Sequence, residues 1–407
     1  GANTLTATLP GAPASQVVFS ATATALAGTT ISVNAGAFQA AMEGTAVPTA
    51  PSVIVRNQSG LPLAGIRVNF TVTSGGGQVT GSSVTTNASG VASVTRWTLG
   101  PSADLNTLSA TVAGVTGAPV VFRGAGCSGA GAGFEVTVCI TTAMTASQRQ
   151  VFQASGARWS TIIKGDLPDA AGSIPENACG AGTPSANHTY DDLLIFAAVT
   201  DIDGPGQVLG QAGPCFLRTT GSLPVIGVMQ FDVADLNSLE TRGQLGSVIL
   251  HEMGHVLGIG TLWSRLGLLQ NRSTAEAPLD TYFSGAGAIA GFDAIGGATY
   301  TGGQKVPVEN TGGPGTMNGH WRESVLRNEL MTGFLNSNVA NPLSVLTARS
   351  LADLGYVVDP TAADPFFLTL SLSADGGASQ SGLRLHDDIY TGPQYTISRT
   401  GARTRIR

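Results

Sequence analysis

The sequence predicts a multidomain chain, with an all-β sandwich near its start followed by an α+β domain built around a metal-binding helix. Three observations carry this. Ile66, Val68, Phe70 and Val72 alternate with polar residues, the pattern of strands covered on one face. From Thr145 onward, helical periodicity appears between apolar, strand-like runs. The run His251-Glu252-Met253-Gly254-His255 then sets two imidazoles four residues apart, on one face of a helix, with a carboxylate beside them.

Composition bounds the rest. A chain of 407 residues with 42% hydrophobic content has room for two or three buried cores. The net charge of -6, without any Lys/Arg run, excludes nucleic acid as a partner. Charged residues make up only 11%, while Gly, Ala, Ser, Thr and Val are abundant, which is the texture of a secreted or cell-surface protein more than of a cytosolic one. No apolar run reaches about 18 residues, so no membrane-spanning segment is expected. The N-terminus also lacks a basic-then-apolar export signal.

An internal repeat accounts for that start. Asn3-Thr4-Leu5 recurs as Asn106-Thr107-Leu108, and Val17-Val18-Phe19 as Val120-Val121-Phe122, both after 103 positions. Residues 1–27 are therefore expected to be the last strands of a truncated repeat, and 28–125 a complete β-sandwich. The stretch RNQSGLPLAGIRVNFTVTSGGG at 56–77 resembles bacterial Ig-like repeats of the invasin (Big-1) type. That resemblance implies a spacer or stalk, with contact to a cell surface or matrix as the more specific role. Without a cysteine, this module does not use the antibody disulfide.

Residues 124–133 are rich in Gly and Ala and read as a flexible linker. Beyond it, FEVTVCI at 134–140 predicts a strand. Thr145 and Gln148 form a capping-box pattern at the start of a helix whose buried face is Phe152, Trp159 and Ile163. In the metal helix, Leu245, Val248, Ile249, Val256 and Leu257 recur at three- and four-residue intervals and form its buried stripe; Gly258 supplies an end to it.

Outside that helix only His320 sits in a segment that looks like a site, Gly319-His320-Trp321-Arg322-Glu323 followed by Glu329-Leu330-Met331-Thr332-Gly333. With HEMGHVLG at 251–258, His320 after an interval of 61 residues (259–319) and ELMTG at 329–333, the chain resembles the leishmanolysin family (M8) of metzincin peptidases. Thr261 occupies the place where compact metzincins carry their third histidine, so only the inserted version of the motif fits. The resemblance extends over roughly 133–360, through strands at 191–196, 209–215 and 223–232 and a helix at 344–356.

The resemblance implies a zinc metalloendopeptidase domain over 126–360, with His251, His255 and His320 as ligands of one catalytic Zn2+, Glu252 as general base, Met331 as the turn beneath the metal, and proteins or peptides as substrates. Elementary chemistry asks for the same set. Three imidazoles leave zinc a position for water, whose pKa falls toward about 7, and a neighbouring carboxylate can take its proton. The alternative is a surface adhesin whose peptidase fold is inactive.

Other polar residues carry less. Glu323 and Glu329 could orient the histidines through hydrogen bonds, but structural or solvated roles are the expectation. Asp191, Asp192, Asp201 and Asp203 could hold calcium; turn and cap roles fit them better. His188 and His386 are expected to be exposed loop residues. The four cysteines, Cys127, Cys139, Cys179 and Cys215, lack a CxxC pair, which argues for disulfides and an oxidising compartment. Of the three connectivities, 127 with 139 and 179 with 215 is preferred; the competing reading makes Cys127 a thiol that caps the metal in a latent form. Residues 361–407 receive no function, with strands expected at 365–372 and 394–399.

Overall fold

The computed structural model describes residues 2–9, 12–22, 28–101, 105–115, 119–130, 133–336, 339–368, 383–385 and 387–407. The repeat seen in the sequence is a repeat in pairing. Strands β1 (Ala2–Leu9) and β2 (Ala12–Thr22) form an antiparallel hairpin in which Leu5 faces Phe19. Their counterparts 103 positions on, Leu108 and Phe122, face each other in the same way.

The sandwich that follows comprises β3 (Thr30–Ala35), β4 (Phe38–Met42), β5 (Ser52–Arg56), β6 (Arg67–Ser74), β7 (Gln78–Thr80), β8 (Ser83–Thr85), β9 (Val91–Ser93), β10 (Arg96–Thr98), β11 (Asn106–Thr111) and β12 (Val120–Ala130). One sheet runs β3-β5-β9, and the facing sheet takes β12-β11-β6-β8. Alternation decides which side chains meet between them. Val68 and Phe70 of β6 point inward to join Val53, Val55, Trp97, Leu108 and Phe122, while Arg67, Asn69 and Thr71 face water.

The expected linker at 124–133 is instead mostly strand. Up to Ala130 the Gly/Ala-rich segment belongs to β12, which pairs with β11 through Gly124 and with β13 (Val136–Ile140) from Cys127 onward. It also lies parallel to β4. Gly124 to Cys127 are buried, because small side chains let neighbouring elements close over the strand from both sides. The sheet thus passes without a break from the sandwich into the second domain, and the expected boundary at 125/126 lies within one strand. Further ties join the two parts: an ion pair between Glu43 and Arg149, and Ala40 N–H donating to the Ser185 carbonyl at 2.8 Å.

After β13 comes α1 (Ala146–Ile162), opened by the Thr145/Gln148 capping box that the sequence predicts, with Phe152, Trp159 and Ile163 buried. Next are the hairpin β14 (Ala170–Ile174) and β15 (Ala186–Tyr190), then β16 (Leu193–Thr200), β17 (Gly210–Arg218) and β18 (Pro224–Asp232). Strands β13, β16 and β18 are parallel, whereas β17 runs antiparallel to β18. Helices α2 (Val233–Thr241) and α3 (Leu245–Leu257) follow. Phe152 and Trp159 of α1 share a core with Val248, Ile249, Met253 and Val256 of α3.

The remainder is built from short pieces: β19 (Leu269–Gln270), β20 (Tyr282–Phe283), α4 (Ala286–Ala294), α5 (Ala298–Thr301), β21 (Val306–Pro307), α6 (Glu323–Leu326), β22 (Phe334–Leu335) and α7 (Val345–Leu354). Near the C-terminus, β23 (Leu383–Arg384) pairs with β22, and β24 (Tyr395–Ile397) and β25 (Arg403–Arg405) extend the main sheet beyond β17. The strand expected at 394–399 is thus β24. The one expected at 365–372 is absent over 365–368, and its remaining residues lie outside the described ones.

Candidate metal centre

Helix α3 is buried from His251 to Leu257, so its two histidines project into protein rather than solvent. It ends at Gly258, whose φ of +113° reverses the chain. That reversal brings the Ile259 carbonyl to 2.9 Å from His255 Nδ1. His251 Nδ1 lies 2.7 Å from the Leu330 carbonyl, and His320 Nδ1 lies 3.0 Å from that of Thr316. Each of these rings is therefore assigned the tautomer with its proton on Nδ1, donating to a backbone carbonyl.

The three Nε2 atoms then converge. They stand 3.0, 3.1 and 3.2 Å apart, close to the roughly 3.3 Å spacing of ligands about 2.0 Å from one tetrahedral ion. His320 arrives on a segment held from both ends. Glu309 N–H donates to its carbonyl at 2.8 Å, and Trp321 N–H donates to the Met331 carbonyl at 2.9 Å. Trp321 is buried against Trp263 with ring centroids 4.6 Å apart.

Met331 lies under α3. A Cβ placed on Gly254 would stand 2.7 Å from its sulfur, so the glycine inside the HEMGH run is what admits the methionine. Glu329 holds this turn rather than the histidines. It accepts from Met331 N–H at 2.7 Å, from Ser344 Oγ at 2.7 Å and from Thr347 Oγ1 at 2.6 Å. Glu323 is half-buried, and burial pushes its carboxyl up to about 7. Its side chain bonds to Thr332 and Asn336 and not to an imidazole.

A fourth group completes the cluster. Asp388 Oδ2 is 3.0 Å from His320 Nε2, 3.4 Å from His251 Nε2 and 3.8 Å from His255 Nε2. All four residues fall within one potential metal-holding group. The sequence offered almost no signal for Asp388: it lies in a stretch without periodicity, and its approach depends on β24 pairing with a strand some 180 residues earlier. Beside it, both oxygens of Glu252 are buried without a hydrogen-bond partner, as are both oxygens of Asp388. Burial, and then the charge of Asp388, raises the Glu252 carboxyl well above its ordinary range.

These atoms fit a cation. With the imidazole protons committed to carbonyls, three lone pairs and a carboxylate face one point with no hydrogen between them, an arrangement a positive ion resolves. His251, Glu252, His255 and His320 are 0% exposed and Asp388 only 1%, so the site as it stands admits no substrate.

Other expected residues fall elsewhere. Asp192 accepts from Glu135 N–H and Leu167 N–H, and Asp203 accepts from Val208 N–H. Asp191 and Asp192 gather with Asp166 and not with Asp201 or Asp203, so the four carboxylates do not form one group. His188 is not an exposed loop residue. It sits half-buried on β15 with its ring 4.3 Å from that of Tyr190, because it shares the inward face of that strand with the buried Ala186 and Tyr190. His386 lies outside the described residues. Cys127 pairs with Cys139 and Cys179 with Cys215, which leaves no thiol at Cys127 to cap a metal.

A mixed sheet over a helix that presents two histidines, met by a third from a distant turn, is the architecture of a metal-dependent hydrolase. The family model for leishmanolysin, peptidase family M8, matches residues 136–375, more than half of the chain. The protein belongs to the leishmanolysin family. No curated protein matches it. Among solved structures it is similar to the D00-D0 domain of intimin, at 22% identity and a TM-score of 0.19 over 26% of this chain and 56% of that one. The D0-D1 domain of intimin matches at 22% identity and a TM-score of 0.18 over 24% and 45%. FdeC, an Escherichia coli adhesin, matches at 18% identity and a TM-score of 0.21 over 32% and 42%. This chain therefore spans about half the length of each of those chains.

Proposed function

We propose that the chain is an extracellular zinc metalloendopeptidase carried on Ig-like modules, the sandwich of 28–125 serving as a stalk and 126–360 as the peptidase domain. The observation that carries this reading is the convergence of three Nε2 atoms within 3.2 Å, each ring fixed through Nδ1 by a backbone carbonyl. His251, His255 and His320 would hold the ion. Bound there, zinc supplies a Lewis acid that polarises a scissile carbonyl and lowers the pKa of water toward about 7. Glu252, adjacent to His251 and unpartnered, takes a proton from the attacking water and returns it to the leaving amine. Met331 gives the site an apolar floor, and Glu329 keeps that floor in place.

Both disulfides fit an oxidising, extracellular setting, and among the described residues no helix is long and apolar enough to cross a membrane. The test is zinc content measured together with hydrolysis of an unstructured protein, with and without a chelator. Stoichiometric zinc and chelator-sensitive cleavage are expected. Zinc binding without cleavage, even once the site is opened, would instead favour a surface-binding protein on an inactive peptidase fold.

A further inference from the structure

We infer that the C-terminal segment carrying Asp388 is a built-in inhibitor of the site, with the Asp388 carboxylate acting as a fourth ligand and the neighbouring backbone occupying the strand edge that a peptide substrate would use. The inference rests on the metallopeptidase reading and concerns how that site is closed.

A catalytic zinc site has three protein ligands and keeps a fourth position open. Here Asp388 Oδ2 fills that position, 3.0 to 3.8 Å from all three Nε2 atoms. An Asp ligand of this kind is expected in a closed site, yet Glu252, which only an open site needs, is intact beside it.

The backbone on either side of Asp388 takes up the substrate's place as well. Apart from the C-terminal β24 and β25, strand β17 is the outermost strand on the side away from the sandwich, and its outer N–H and C=O groups are where an extended peptide would add. Ala212 N–H instead donates to the Asp388 carbonyl at 2.7 Å, and Tyr390 N–H donates to the Ala212 carbonyl at 2.9 Å. Further along, Gln394 Nε2 donates to the Pro214 carbonyl at 3.0 Å and Tyr395 pairs with Phe216. Tyr390 Oη anchors the segment by donating to the Cys179 carbonyl at 2.8 Å.

On the opposite wall, Leu385 N–H donates to the Gly333 carbonyl at 3.0 Å, and Thr316 Oγ1 donates to the Leu385 carbonyl at 3.0 Å. The segment is therefore tied at once to the edge strand and to the loop that delivers His320. A peptide cannot enter while it remains there.

The experiment uses the full chain loaded with Co2+, comparing wild type with Asp388→Ala and the near-isosteric Asp388→Asn. Acetohydroxamate, a small metal-directed probe, is titrated while the visible absorption of the cobalt is followed; casein hydrolysis by the zinc forms is measured in parallel. The wild-type spectrum should resist the probe, whereas both variants should respond, with casein turnover raised at least ~10-fold over wild type. A wild-type spectrum that responds like the variants, with equal turnover, overturns the inference. So does loss of the metal in both variants but not in wild type, which would make Asp388 a required ligand instead of a plug. Opening to the probe in the variants without turnover in any protein supports the inhibitor and refutes the peptidase reading. Failure of every form to retain cobalt refutes the metal site and the inference with it.

Discussion

Cys127 and Cys139 face each other on paired strands and are joined by a disulfide, one from the last strand of the sandwich and the other from the first strand of the peptidase region. The two modules are thereby fastened by covalent as well as hydrogen bonds at the point where a flexible tether was expected.

A chain shortened to begin at Ser128 should consequently fold poorly. It would lose the part of β12 that pairs with β11 and β4, leave Cys139 unpaired and remove Glu43 from Arg149. Replacing Cys127 and Cys139 by serine in the full chain should cost about 2–4 kcal/mol. Denaturant unfolding followed by circular dichroism checks both; an unchanged midpoint for the shortened chain would restore the picture of independent modules.

Glu252→Gln should retain one zinc per chain, since the carboxylate is not among the converging ligands, and lose at least ~100-fold in turnover. Zinc analysis with casein hydrolysis, run in both the wild-type and the Asp388→Ala backgrounds, reads the two effects separately. Near-native turnover with full zinc removes Glu252 from the chemistry.

His320→Ala should weaken zinc binding by more than ~100-fold and abolish cleavage, because it removes one of three converging nitrogens. His188→Ala should change neither, as that ring packs at a tilt against Tyr190 on a hairpin apart from the site. Competition with a chromophoric chelator measures the affinities, and equal zinc affinity in the two variants would contradict the proposed ligand set.

Glu323 gives a pH signature in stability. Burial raises its carboxyl to about 7 in the folded protein, so between the ordinary carboxylate range and about pH 7 the unfolded chain has lost a proton that the folded chain keeps. This group's contribution therefore falls as pH rises through that window and is most unfavourable above it. Glu323→Gln should be more stable relative to wild type at pH 8 than at pH 5, as read from urea midpoints. A difference that does not vary with pH would show that the carboxyl titrates normally.

Local pattern made α3, its histidines and the capping box of α1 legible, since each depends on residues within about one helical turn. His320 and Met331 could be read because a motif orders them along the chain. Two features could not. Strand β12 has the composition of a linker, and only pairing on both of its edges makes it a strand. Asp388 has no spacing to announce it, because its position follows from Tyr395 pairing with Phe216 and from Ala212 bonding across to Asp388 and Tyr390.

The continuity of β12 into β13 also has a mechanical meaning. A strand shared by two modules cannot act as a swivel, so the orientation of the metal site is set by the twist of one sheet and follows that of the sandwich. If the sandwich is fixed to a surface, the metal site is held at a set height and angle from it, and the substrates within reach are those that diffuse or protrude into that one sector. A load pulling on the sandwich would likewise travel through β12 into the sheet whose far edge holds the Asp388 segment in place.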